Sequence, residues 1–145
     1  MKINVEQFRN KSFLVIEKLI HNSHRFDENT LVMRVDKSTY ICQCGEASDL
    51  AYVRFSLLRF LTAETVKNIP PDFLTKVNIQ VPCLYFFCDD DNFLCCSFTT
   101  LANSEKYLTN DVILTALSVI ESGVTSVMSN LEKLKMMKII KDALN

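Results

Sequence analysis

Residues 70–99, PPDFLTKVNIQVPCLYFFCDDDNFLCCSFT, carry the features on which the fold turns. Pro70 and Pro71 end whatever precedes them, because the residue before a proline is pushed out of the helical region. The run 76–87 (KVNIQVPCLYFF) reads as a long strand interrupted at Pro82. Proline lacks an N–H, so it removes one ladder bond and marks an edge or a bulge. Asp89-Asp90-Asp91-Asn92 is a hairpin tip, since Asp and Asn accept turn conformations readily. Residues 93–99 (FLCCSFT) return as the next strand, and Asn103 or Ser104 opens a helical region.

Working upstream, residues 30–36 (TLVMRVD) alternate as a strand, Asp36-Lys37-Ser38 is a turn, and 39–44 (TYICQC) is a second strand that Gly45 ends. A β-hairpin over 30–44 follows. Ser48 followed by Leu50, Val53, Leu57, Leu58 and Leu61 predicts a helix capped by Ser48. The same stretch also alternates, with Ala51, Val53, Phe55 and Leu57 on one face; the helix is preferred. Residues 3–10 (INVEQFRN) form a short N-terminal helix, and 12–22 (SFLVIEKLIHN) fit either a helix stripe or a buried strand.

Working downstream, the apolar period changes at Asn110. Within a helix running from Asn110 to Leu144, Ile113, Leu117, Ile120, Val124, Val127, Leu131 and Leu134 recur at spacings of four and three. That is a heptad seam. Such a helix reaches about 50 Å at 1.5 Å per residue, more than a small domain covers. Beyond Gly123 only one stripe is apolar, so Val124, Val127, Leu131, Leu134 and Met137 are the expected partner-binding residues.

The bounds set by composition agree with one domain, residues 1–108, plus the helix 109–145. The chain has 145 residues, 48% of them apolar, with two glycines and three prolines. That excludes a disordered chain and a Gly-rich phosphate loop. A net charge of −1 does not indicate a strongly basic nucleic-acid binder. No uncharged run approaches the roughly 20 residues of a membrane span, and the N-terminus lacks the order of a signal peptide; the chain reads as soluble, nuclear or cytosolic. Six cysteines without C-x-x-C spacing read as ordinary thiols rather than a zinc site. Asp89–Asp91 read as a solvated turn rather than a cation cage. His21 and His24 pair with no nucleophile, so no catalytic constellation and no cofactor is expected.

The element order resembles the oligonucleotide/oligosaccharide-binding (OB) fold, a five-stranded barrel with a helix after the third strand. Pro70-Pro71-Asp72-Phe73-Leu74-Thr75-Lys76-Val77 leading into a strand, then an acidic hairpin, an apolar strand, Leu101 and Val119-Ile120 in a helix, resemble the middle subunit of replication protein A. Telomere-capping subunits of the Stn1 type are similar. Phe13–His21, Thr30–Asp36 and Tyr40–Cys44 would be the first three strands. The resemblance implies an all-β barrel with helices, a non-enzymatic subunit of a single-stranded-DNA complex in replication, repair or telomere capping, nuclear location, and a smaller OB subunit as partner through the C-terminal helix. Two departures stand out: the insert from Glu46 to Ile69 is longer and more apolar than the family's, and the family's nucleic-acid surface is not intact, with Cys44 in place of an aromatic and an acidic tip at Asp89–Asp91 where the family is basic.

Single-strand binding needs aromatics that stack on bases and cations beside them. The candidates are Arg34, Tyr40, Tyr85, Phe86 and Phe87. Strand alternation requires about half of such adjacent aromatics to face the core. The alternative function is a pure interaction scaffold without nucleic-acid binding, favoured by the acidic tip and the neutral charge balance.

Overall fold

A computed structural model describes residues 2–145. Asn4 opens the first helix by accepting the Gln7 N–H on its side chain at 3.0 Å. Helix α1 (Val5–Leu19) then buries Phe8, Ser12, Phe13 and Ile16, a stripe at helical spacing. The two readings of residues 12–22 thus resolve as helix, and the strand expected over Phe13–His21 does not form.

Four strands follow as a meander: β1 (Ser23–Arg25), β2 (Thr30–Val35), β3 (Ser38–Ala47) and β4 (Leu50–Leu61). The hairpin predicted over 30–44 is present, turning at Asp36, whose φ of 55° is a conformation Asp tolerates. The helix expected after Ser48 is replaced by β4, a 12-residue strand. Ser48 is a turn residue with φ 56° rather than an N-cap. An interior place in the sheet decides this: β4 is paired on one side by β3 and on the other by β6, and Ala51, Val53, Phe55 and Leu57 all point to one covered face. Pairing on both edges and burial of one face override a weak helical stripe.

After β4 come a single turn α2 (Ala63–Val66) and α3 (Phe73–Gln80), then β5 (Tyr85–Cys88), β6 (Leu94–Ala102) and α4 (Asn110–Leu144). The strand expected over 76–87 is therefore split. Phe73 and Val77, four apart, are buried as a helical pair, Pro82 follows the helix end, and only 85–88 are extended. The Asp89–Asn92 tip joins β5 to β6 as read from the sequence.

The sheet has six strands in the order β1-β2-β3-β4-β6-β5, all neighbours antiparallel. β1 and β5 lie at opposite edges, so the five-stranded barrel is corrected to an open six-stranded sheet with a long C-terminal helix. Helices α1 and α4 cover one face. Leu31, Met33, Tyr40, Cys42, Phe55, Leu57, Phe86 and Cys96 from that face meet Phe8, Phe13, Ile16, Ile113 and Ile120 from the helices in one core.

α4 begins where Thr109 accepts the Val112 N–H on its hydroxyl. Ile113, Ala116, Leu117, Ile120, Gly123 and Val127 are buried. Gly123 lets α4 approach closely: a Cβ there would collide with Leu84 Cδ1. By length and composition α4 could cross a bilayer, its richest window having a mean hydropathy of 1.6, but 33% of that window is buried inside the fold.

Candidate nucleic-acid interface

Strand register sorts the five candidate residues by face. One transverse row, on the helix-covered side, runs Met33–Tyr40–Leu57–Cys96–Phe86. Tyr40 and Phe86 therefore belong to the core, at 5% and 1% exposure. Burial pushes the Tyr40 phenol above its ordinary value, with Glu121 adding to the effect. These two residues are corrected from stacking candidates to core.

The neighbouring row lies on the other side and crosses all six strands: His24–Val32–Ile41–Ser56–Ser97–Tyr85. Arg34 and Phe87, one step to one side of this row, and Thr30–Gln43–Arg54–Thr99 and Gly45–Tyr52–Leu101, on the other, share this open face. Ser56 and Ser97 are small, so the middle of the row is a floor between the Tyr85 wall and the Val32–Ile41 side. Tyr85 and Phe87 alternate on β5 and stack with ring centres 5.6 Å apart and planes 15° apart.

Two residues that the sequence reading left out complete the face. A Cβ at position 45 would lie 2.6 Å from the Tyr52 hydroxyl, so glycine is what lets the Tyr52 ring lie down on the strand. The Arg54 guanidinium sits 5.3 Å from the centre of that ring, and its Nε donates to Thr99 Oγ1 at 3.0 Å. Arg54 is thus held in place rather than waving in solvent. Both were hidden while 48–61 read as a helix; the alternation of 50–57 was the available signal.

The charge of the face differs from that of the whole chain. The six strands contain four arginines (Arg25, Arg34, Arg54, Arg59) and a single acid, Glu46. Arg25 turns to the covered side and pairs with Glu17 at 2.9 Å. Arg59 bonds Asp89 and Asp91, each at 2.8 Å, with its guanidinium over the Phe93 ring. The acidic tip is therefore partly neutralised by its own chain, and not simply solvated. Burial alone would raise the Asp89 carboxyl, but the Phe93 and Asp91 amides and Arg59 together hold it below the usual carboxylate range. Arg34 and Arg54 remain as free cations on an open face whose strands present no carboxylate. Tyr85 and Arg34 stand four strand spacings apart, roughly 19 Å, with Arg54 between them; the surviving candidates line a surface rather than converge on a point.

Among the described residues no three His, Cys, Asp or Glu side chains are placed to hold a metal ion. Cys42, Cys44, Cys95 and Cys96 are buried, while Cys83 and Cys88 are exposed. A hydrogen bond from Cys42 lowers the Cys44 thiol against the opposing effect of burial, and Arg9 adds to the lowering; at 3% exposure Cys44 is sealed beneath α1.

Of the expected partner residues, Val127 is buried in the chain's own core, and Val124 and Leu131 pack on that core. Leu134 lines a shallow groove of about 290 Å³ with Phe73 and Val77 of α3. Only Met137, 65% exposed, faces away from the domain. The heptad seam was real, but its first three heptads are satisfied internally. Comparisons with protein-family models, curated proteins and solved structures return no match to this chain.

Proposed function

We propose that the chain is a non-enzymatic subunit of a complex that works on single-stranded nucleic acid, touching the strand with its open sheet face and joining the complex through the far end of α4. From the resemblance to the replication protein A middle subunit this reading keeps the division of labour, and with it DNA as the expected strand and the nucleus as the expected place. It does not keep the barrel.

One observation carries it. The uncovered face combines a stacked aromatic pair (Tyr85, Phe87), an immobilised arginine (Arg54) and Arg34, while the one strand acid, Glu46, lies in register with Ala51 of the covered face. Stacking of one base on one aromatic contributes about 1–3 kcal/mol, and arginine supplies phosphate attraction or a second stacking plane.

Fluorescence anisotropy with labelled single-stranded oligonucleotides at low salt tests it. Binding should weaken with salt at a shallow logarithmic slope, about −1.4 for two phosphate contacts at about −0.7 each. Arg54→Ala and Tyr85→Ala should each weaken it by roughly ten-fold or more. Wild-type affinity in both variants, or no binding at all, removes the nucleic-acid reading. The scaffold alternative then stands, favoured by the small number of free cations on the face.

A further inference from the structure

The apolar stripe of α4 changes sides along its length. At 3.6 residues per turn, Ile113, Ala116, Leu117, Ile120, Gly123 and Val127 share one line, and Leu131 continues it. Leu134, at the groove beside α3, is the last apolar residue on that line; beyond it the line carries Lys135, Lys138 and Lys141, all exposed. From Lys135 onward the large apolar residues are Met136, Met137, Ile139, Ile140 and Leu144, between 54% and 83% exposed. They lie on roughly the opposite side of the helix. Higher up, that opposite side is polar: Ser118, Ser122, Thr125, Ser129 and Glu132. The distal face is therefore a separate patch turned away from the domain, not an overhang of the core.

The patch has charged borders. Lys135 flanks it beside Ile139, Lys141 flanks it beside Met137, and Lys138 stands behind. Residues 131–145 contain four lysines against Glu132 and Asp142. A second copy would bring lysine borders against lysine borders, and the patch spans fewer than two heptads, short of what a self-standing coiled coil uses. A membrane surface suits it less well, because it has no aromatic anchor and is shorter than the usual interfacial helix of about 20–30 residues.

We infer that the distal face of α4 seats an amphipathic helix of another protein whose apolar stripe is bordered by glutamate or aspartate. This deepens the assembly role proposed above and rests on it. Lys135 and Lys141 occupy the positions that set partner choice between paired helices.

The test uses the full chain and two synthetic helical peptides of about three heptads, identical in their Leu/Ile stripe and one tryptophan, bordered in one by Glu and in the other by Lys. The chain itself has no tryptophan, so emission reports the peptide alone. The Glu-bordered peptide should bind roughly ten-fold tighter at low salt, with the gap narrowing as salt screens it. Ile139→Asp with Ile140→Asp should abolish binding without moving the melting midpoint, since residues 132–145 are all exposed. Lys135→Glu with Lys141→Glu should reverse the preference, and Leu114→Asp, on exposed proximal surface, should change nothing. Equal or absent binding of both peptides overturns the inference. So does dimerisation of the wild-type chain that Ile139→Asp with Ile140→Asp removes, or binding to phosphatidylserine vesicles through the same residues. Because oligonucleotide binding is read separately on Arg54→Ala, loss of the nucleic-acid reading leaves this result standing, and the converse.

Discussion

The two faces of the sheet use the same strands for opposite ends. On the covered face, alternate positions are filled by Leu31, Met33, Val53, Phe55 and Phe86, and two helices lie on them. On the open face the intervening positions hold Val32, Arg34, Ile41, Arg54, Tyr52 and Tyr85 around two serines and a glycine. A one-residue shift of register would exchange the two sets. The contrast teaches that adjacent residues such as Tyr85 and Phe86 cannot be judged by type; one is a surface group and its neighbour is core.

The contrast breaks most sharply at Phe55, which is fully buried. Phe55→Ala should cost about 3–5 kcal/mol, read as a lower urea midpoint with nearly unchanged slope. Next comes Cys96 on the same face, whose thiol burial pushes up to about 12 from an ordinary 9.0. The unfolded thiol ionises first, so this contribution is full below about pH 9 and is lost as pH rises toward 12. It is on the order of a few kcal/mol; melting curves from pH 8 to 11 should fall less steeply for Cys96→Ala than for the wild type. Gly123→Val should cost about 1–3 kcal/mol by pushing Leu84 out of its seat. Tyr85→Ala, on the open face at 60% exposure, should move stability by no more than about 0.5 kcal/mol while reducing oligonucleotide affinity. A large stability loss from Tyr85→Ala would erase the distinction between the faces.

The sequence made the 30–44 hairpin legible because strong alternation and a turn residue with positive φ agree there. It made the acidic tip and the 110–144 helix legible for the same kind of reason: local chemistry and long-range packing point the same way. The failures lie where they disagree. Residues 50–61 satisfy both periods, and only pairing with β3 and β6 decides between them. Residues 73–80 look like the approach to a strand because Ile79 and Val77 are β-branched, yet Phe73 and Val77 form a helical pair once α4 is placed beside them. For the site, Arg34, Tyr85 and Phe87 were accessible from residue type, but Tyr52 and Arg54 depended on the β4 assignment. The 4-3 periodicity of α4 was visible, whereas its change of side was concealed: the lysines of the last turns fall where the earlier stripe leads, and the two opposed stripes nearly cancel along the helix.

One side chain settles what happens at the rim of the sheet. Asn78 of α3 accepts the Phe86 N–H at 2.7 Å and donates to the Phe86 carbonyl at 3.1 Å. A carboxamide thus plays the part of a seventh strand one residue long. Another molecule arriving at β5 to extend the sheet finds that main-chain pair already taken, so end-to-end stacking of copies into fibrils is blocked at that point without a proline or a charge on the strand itself.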